Sequence, residues 1–173
     1  MYDYNDSALN IARQINLNNN FIYILDNIYS MSVETDFFDY TFCFQTLSWL
    51  EEPQKALLEL IRITKPGGYI YLSSLFNLEH DVDLYTRVID YTRESGQNNL
   101  YMNYNTYSYH SITKWITSLV KSFSIHKFTM EIDLPSSTHR GIGTYTKKLA
   151  CSNERLQISA GMLMNWGILV INK

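Results

Sequence analysis

Apolar residues come in short bursts along this chain, and the spacing inside each burst separates helix from strand. Between Ser7 and Leu17, Leu9 and Ala12 share a helical face, with Ile11 and Ile15 beside it, after an Asn-Asp-Ser start suited to capping. The run "NLNNN" then breaks the helix. Phe21 to Leu25 reads as a brief apolar strand closed by Asp26 and Asn27, and Phe38 to Phe44 as another, preceded by the polar "SVETD". Pro53 opens a helix at its favoured first-turn position, and Ala56, Leu57, Leu60, Ile61 and Ile63 give that helix an apolar face. "KPGG" is expected to end it, and Tyr69 to Leu75 follows as a strand rich in β-branched and aromatic residues. Strand, helix, turn and strand at this spacing predict a right-handed crossover unit of a parallel sheet.

Beyond residue 77 the pattern loosens. Asp81 to Glu94 reads as a helix starting on acidic residues, and the Tyr- and Asn-rich "SGQNNLYMNYNTYSY" as a long loop. Ser111 to Phe123 resumes helical periodicity through Ile112, Trp115, Ile116, Leu119 and Val120, and Ser124 to Ile132 alternates as a strand. "LPSSTHRGIGTYTKKLACSNER" reads as a second irregular excursion, and Trp166 to Asn172 as the last strand. There is no internal repeat or low-complexity linker. Residues 1–173 are therefore expected to form one α/β domain, with strands at Phe21, Asp39 and Tyr69 in a single mainly parallel sheet.

Composition narrows the function classes. With 173 residues, 46% of them hydrophobic and 18% charged, the chain can bury a proper core and does not resemble a disordered segment. A formal charge of -3 leaves no basic footprint for nucleic acid. Two cysteines, Cys43 and Cys151, make neither a disulfide framework nor a metal spacing, so a reducing cytoplasm and no metal site are expected. No apolar run reaches the length of a membrane span, and the first residues lack the order of a signal peptide.

The stretch "FDYTFCFQTLSWLEEPQKALLELIRITKPGGYIYLSS" resembles the latter core of the seven-strand, class I S-adenosylmethionine-dependent methyltransferases. A Phe-Asp pair opening a strand, a Leu-rich turn, a Pro-started helix and Lys-Pro-Gly-Gly before the next strand occur in the family's order. The resemblance is clear from Asp3 to about Asn77 and thin beyond. It implies a Rossmann-like sheet with an antiparallel last strand. Residues 1–77 would form the cofactor side, and 78–173 an acceptor side with loop insertions.

Carried over residue by residue, the resemblance places Asp3 at the acidic tip of the second strand, where its oxygens would grip the ribose hydroxyls. Tyr4 and Ile28 would flank the adenine ring, Asp26 and Asn27 would bond its edge, and Gln45 would approach the methionine part of the cofactor. Asp39 falls at the strand end away from the ligand and is expected to be structural. The plain alternative for Asp3 and Asp26 is that turns favour Asp for local hydrogen bonding.

One departure shapes the expectation. The family's glycine-rich loop precedes the acidic tip, yet here no Gly-x-Gly stands ahead of Asp3, and Gly141-Ile142-Gly143 lies in a late loop. The matched pattern thus looks N-terminally truncated, lacking a first strand that is central in the family. Three arrangements follow: a longer chain, a partner chain supplying the strand, or a shortened sheet whose second and fourth strands close up or dimerise. On this reading the isolated chain is expected to bind the cofactor poorly.

For the acceptor side, His80 between Glu79 and Asp81 is the candidate base, with His139 beside Arg140 as runner-up. His110 and His126 read as capping or surface residues. The tyrosines from Tyr101 to Tyr109 suggest a lid, or equally a plain surface loop, and Arg140, Lys147 and Lys148 a phosphate contact or simply solvated charge. Two functions stay open: a methyltransferase acting on a small molecule such as a sugar or glycan intermediate, or a non-catalytic methyltransferase-like subunit needing a partner or homodimer to complete its sheet.

Overall fold

In the computed structural model, which describes residues 1–16, 20–91, 101–136 and 142–173, the first strand is only Tyr2–Asp3 (β1). Helix α1, Asp6–Ile15, follows at once, with the Asn5 side chain accepting from the Ala8 amide at 3.2 Å as its N-cap. Leu9 is buried on this helix while Ile11 and Ile15 are exposed, so its apolar face is narrower than the sequence suggests. The strand expected from Phe21 shrinks to Ile24–Leu25 (β2), which pairs parallel with β1. Phe21 and Ile22 stay exposed ahead of it.

The main sheet has four strands: Phe38–Phe44 (β3), Thr64–Ser73 (β4), Trp166–Asn172 (β13) and Ser122–Phe128 (β9), in the order β3-β4-β13-β9. β3 and β4 are parallel, joined through helix α2, Pro53–Ile63, with Pro53 in its first turn. β13 is antiparallel to both neighbours, as the resemblance implies for the last strand. The β1–β2 pair is a separate two-stranded sheet, which corrects the expectation of one sheet through Phe21, Asp39 and Tyr69. Nor do β1 and β3 close up by pairing, so β3 is an edge strand; the Tyr2 and Phe38 rings meet edge-on at 6.2 Å.

"KPGG" does not sit after the helix as a free turn. Strand β4 starts at Thr64 directly, and Lys65–Gly68 forms a bulge against β3, with Gly67 at φ 80°. A Cβ on Gly68 would lie 2.8 Å from the Asp39 carbonyl oxygen, so this crossing admits no side chain.

Short strands Phe76–Asn77 (β5), Arg87–Val88 (β6), Met102–Asn103 (β7) and Tyr107–Ser108 (β8) replace the expected helix from Asp81, at least as far as Tyr91. β5 pairs with β8, β6 with β7, and Leu84 bridges to Thr106. Helix α3 runs Tyr109–Ile116, shorter than the periodicity indicates. The second excursion contains an antiparallel meander of Thr144–Lys148 (β10), Arg155–Ser159 (β11) and Met162–Met164 (β12). The core lies on one face of the main sheet, where Cys43, Ile70, Leu72, Leu169 and Ile171 meet α2 and α3. Among the described residues no helix is long and apolar enough to cross a membrane.

Candidate functional site

The carboxyl ends of β1, β2 and β3 each carry a polar turn. Asp3 ends β1, and its Oδ1 accepts from the Asn5 amide at 2.9 Å, which shapes the entry to α1. Tyr4 follows with 82% of its surface exposed. Asp26 ends β2, bonding through its backbone amide to the Asp3 carbonyl at 2.9 Å. Its Oδ1 accepts from the Asn27 amide, and its Oδ2 from both the amide and the hydroxyl of Ser32, each at 2.8 Å. Partial burial works to raise the Asp26 pKa, but these donors outweigh it and hold the carboxyl below its usual range. Asn27 Oδ1 accepts from the Tyr29 amide at 2.9 Å. Ile28 is half-buried and packs against the core, so the side chain expected beside an adenine ring faces inward.

Gln45, immediately after β3, has φ 52°, a left-handed conformation that is costly for a residue with a Cβ. Its amide donates to the Ser73 carbonyl at 2.8 Å, tying the end of β3 to the end of β4. The amide side chain reaches only Ser73 Oγ, at 3.4 Å, and is exposed. A strained polar residue at a strand's carboxyl end is what a ligand-facing turn looks like.

Past this edge a buried polar network begins. Ser48, in the 3-10 turn Leu47–Trp49, shares a hydrogen bond with Ser74 at 2.7 Å and accepts from the Leu75 amide at 3.2 Å. The Asn105 amide donates to the Ser48 carbonyl at 2.8 Å, and the Asn105 side-chain amide donates to the Tyr107 hydroxyl at 3.2 Å. Burial pushes the Tyr107 phenol up to about 12. Tyr104, also buried, bonds the Ser159 hydroxyl of the meander and packs its ring 4.6 Å from Trp49. The tyrosine-rich segment is thus anchored inward at Tyr104 and Tyr107, while Tyr101 and Tyr109 remain exposed.

Asp83 organises the start of α3. It accepts from the Ser108 amide at 2.7 Å, from the Ser111 hydroxyl, and from the Tyr85 hydroxyl at 3.2 Å. Burial pushes its carboxyl up, yet the Ser111, Ser108 and Tyr85 donors prevail and leave it below the usual range. His80 is exposed in the turn after β5, its amide bonded to Asn77 Oδ1 at 3.2 Å. Its acidic neighbours point elsewhere: Glu79 to Lys127 at 2.9 Å and Asn165 at 2.7 Å, Asp81 to the His110 amide at 2.9 Å. Neither clamps the imidazole.

The other singled-out residues lie elsewhere. Asp39 pairs with Lys65 at 2.9 Å where β3 and β4 begin, beside a shallow depression of about 230 Å³. His126 bonds Ser124 on the outer strand, and Lys147 and Lys148 are exposed on β10. His139, Arg140 and Gly141 lie outside the described residues. Cys43 is buried and its thiol is pushed up to about 11 by burial, whereas Cys151 is exposed. Among the described residues no group of three His, Cys, Asp or Glu side chains could hold a metal ion.

The sequence reading missed Asp83, Ser48, Ser74 and the buried tyrosines. Asp83 carried one signal, a carboxylate upstream of a Ser-x-x-Ser helix start, but its partners are 25 and 28 residues away. Chemically, the strand-end turns offer carboxylate and amide acceptors beside an open aromatic ring, a set suited to hydroxyls and an amino-bearing ring.

Comparison with known proteins gives a family match and a shared fold. Residues 1–72 match the methyltransferase domain family. A 52-residue stretch is 42% identical to an uncharacterized methyltransferase of Schizosaccharomyces pombe, covering 30% of this chain and 19% of that protein. This match therefore spans about a fifth of that relative. The fold is similar to a chain from the complex of the Haloferax volcanii Trm112 methyltransferase activator with a candidate methyltransferase. The TM-score is 0.63 at 15% identity, over 99% of this chain and 69% of that one. It is also similar to the N-methyltransferase NodS of Bradyrhizobium japonicum, solved with S-adenosyl-L-homocysteine. There the TM-score is 0.53 at 12% identity, over 99% of this chain and 64% of that one.

Proposed function

We propose, from the match of residues 1–72 to the methyltransferase domain family and the α/β Rossmann-like fold shared with solved methyltransferases, that the carboxyl edge of this chain binds S-adenosylmethionine and presents a small-molecule acceptor to it. One observation carries the reading. Asp3 ends β1, and Asp26 with Asn27 and Gln45 directly follow β2 and β3, at the carboxyl ends where open α/β sheets place ligands. When bound, the cofactor supplies a methyl group made electrophilic by its sulfonium.

The chain's own part is alignment. In this reading Asp3 accepts from ribose hydroxyls, Tyr4 lies against the adenine face, and Asp26 and Asn27 meet its polar edge. Ile28 supports that turn from the core side rather than touching the ring. Gln45, held by the Ser73 carbonyl, turns its side chain toward the methionine part. His80, exposed after β5, takes the proton of an acceptor hydroxyl. Residues 78–173 form the acceptor side, where a hydroxyl-bearing acceptor such as a sugar meets His80.

A second reading is a methyltransferase-like subunit that works with a protein partner. The unpaired edge of β3 favours it, and one structural neighbour is a complex with a methyltransferase activator. Calorimetry with S-adenosylhomocysteine separates the two. Binding that Asp3→Asn and Asp26→Asn each weaken about tenfold, or more, supports the first reading. No detectable binding by the folded wild-type chain, with binding restored by an added activator subunit, moves the function to the second. No binding under either condition removes the cofactor from the account.

A further inference from the structure

Asp26 is held by a chain of groups that starts on helix α2. Among the described residues its carboxylate takes three bonds, one at Oδ1 from the Asn27 amide and two at Oδ2 from Ser32, each at 2.8 Å. A carboxylate offers roughly four lone-pair positions, so about one stays open, on Oδ1. The Ser32 amide shares a planar trans peptide with the Met31 carbonyl, and the two groups point opposite ways. On the carbonyl side stands Arg62, whose Nη2 donates to the Met31 oxygen at 3.1 Å. Glu59, one turn earlier on α2, accepts from that guanidinium through both oxygens, at 2.7 and 2.8 Å, and from the Met31 amide at 2.7 Å. Arg62 Nη1 also donates to the Thr35 hydroxyl at 3.2 Å, beyond the gripped peptide.

We propose that Arg62 is a positioning residue for the turn after β2: through the Met31–Ser32 peptide it orients Asp26, leaving one carboxylate position to a ligand N–H. This rests on the reading of Asp26 as the residue that meets the adenine edge. A planar guanidinium bonded twice to one carboxylate has a fixed orientation, so its further bond fixes the Met31 carbonyl as well. Positive charge on that carbonyl polarises the peptide and strengthens the opposite N–H as a donor to Asp26. The pair is not a loose surface contact, since the Glu59 and Arg62 side chains are only 13% and 32% exposed. A second tether is independent of it. The Tyr29 hydroxyl accepts from the Glu51 and Glu52 amides at 3.1 and 3.3 Å, which keeps the loop on α2 when Arg62 is replaced.

Calorimetry with S-adenosylhomocysteine on the full chain tests this as a double-mutant cycle, with circular dichroism checking that each variant is folded. Arg62→Met weakens binding about tenfold in the wild-type background, and less than about twofold where Asp26→Ala is already present, because Arg62 acts through that carboxylate. Equal weakening in both backgrounds overturns the proposal. An NMR titration of the Asp26 carboxyl needs no ligand and separates this proposal from the cofactor reading. Glu59→Gln combined with Arg62→Met removes one charge of each sign, so the shift it causes reports the lost grip on Ser32. That variant raises the Asp26 pKa toward the ordinary carboxylate value. An unchanged Asp26 titration overturns the proposal even where S-adenosylhomocysteine binds. A wild type that binds none of it, with the titration shifted in the variant, supports the Arg62 link and removes only the adenine ligand.

Discussion

The turns at the ends of β1, β2 and β3 and the network from Ser48 to Ser111 are held in different ways. The side chains of the β1 and β2 turns close locally, Asp26 within six residues, Asn27 within two and Asp3 within two, while the exposed Gln45 after β3 reaches only Ser73 Oγ. The network is buried and closes over long separations, 26 residues from Ser48 to Ser74 and 55 from Tyr104 to Ser159. Exposed turns keep their acceptors near water and can exchange it for a ligand at little cost. Buried hydroxyl pairs cannot, because an orphaned partner there carries the full desolvation penalty. The first region is suited to bind, and the second to hold the binding region in place.

That division sets the order of expected effects. Tyr107→Ala empties a fully buried site against Trp115 and removes contacts to Asn105 and Leu47, so we expect about 3–5 kcal/mol of destabilisation in denaturant titration. A loss below about 1 kcal/mol would place Tyr107 outside the framework.

Asp83→Asn comes next, at roughly 1–3 kcal/mol near neutral pH, through weaker bonds to Ser108 and Ser111. Its sign with pH is fixed. The folded-state pKa of Asp83 lies below the ordinary carboxylate value, so its contribution is full above the unfolded pKa and vanishes as pH falls through the folded one. Asp26 and Glu59 act in the same direction, Glu59 chiefly through its bond from Arg62. Thermal melts from pH 7 to pH 2 should therefore show the variant losing less stability in acid than the wild type. Parallel acid limbs would contradict the role given to Asp83.

The smallest effect is expected at the turns. Gln45→Gly relieves a left-handed residue and should raise stability by about 0.5–1 kcal/mol, or roughly 1–4 °C in Tm, since only a 3.4 Å side-chain contact is lost. If the same change lowers stability, the Gln45 side chain is a brace and the contrast between the two regions weakens.

The contrast also explains what could be read from the sequence. Pro53 starting α2, Asn5 capping α1, the pairing strands β3 and β4, and the exposed turn residues all follow from neighbours within a few positions. The segment from Asp81 to Tyr91 does not. Its acidic start resembles a helix N-terminus, yet those carboxylates cap α3 instead, and Arg87–Val88 pairs with Met102–Asn103. Non-local bonds there outweigh local propensity. The meander from Thr144 was hidden similarly, because its strands are short and are defined by pairing with each other. Ile28 shows the limit within the site itself. Position along the chain places it after β2, but only packing decides that it faces the core.

The central claim is that the strand-end turns, and not the opposite edge, receive the cofactor. Amide hydrogen exchange with and without saturating S-adenosylhomocysteine tests it most directly. The account predicts slower exchange at Asn5, Asn27, Ser32 and Gln45, whose amides sit in those turns, and no change at Lys65, Gly67 and Gly68, where β3 and β4 begin. Protection confined to Lys65–Gly68, or unchanged exchange at all four turn amides while ligand is bound, would contradict it.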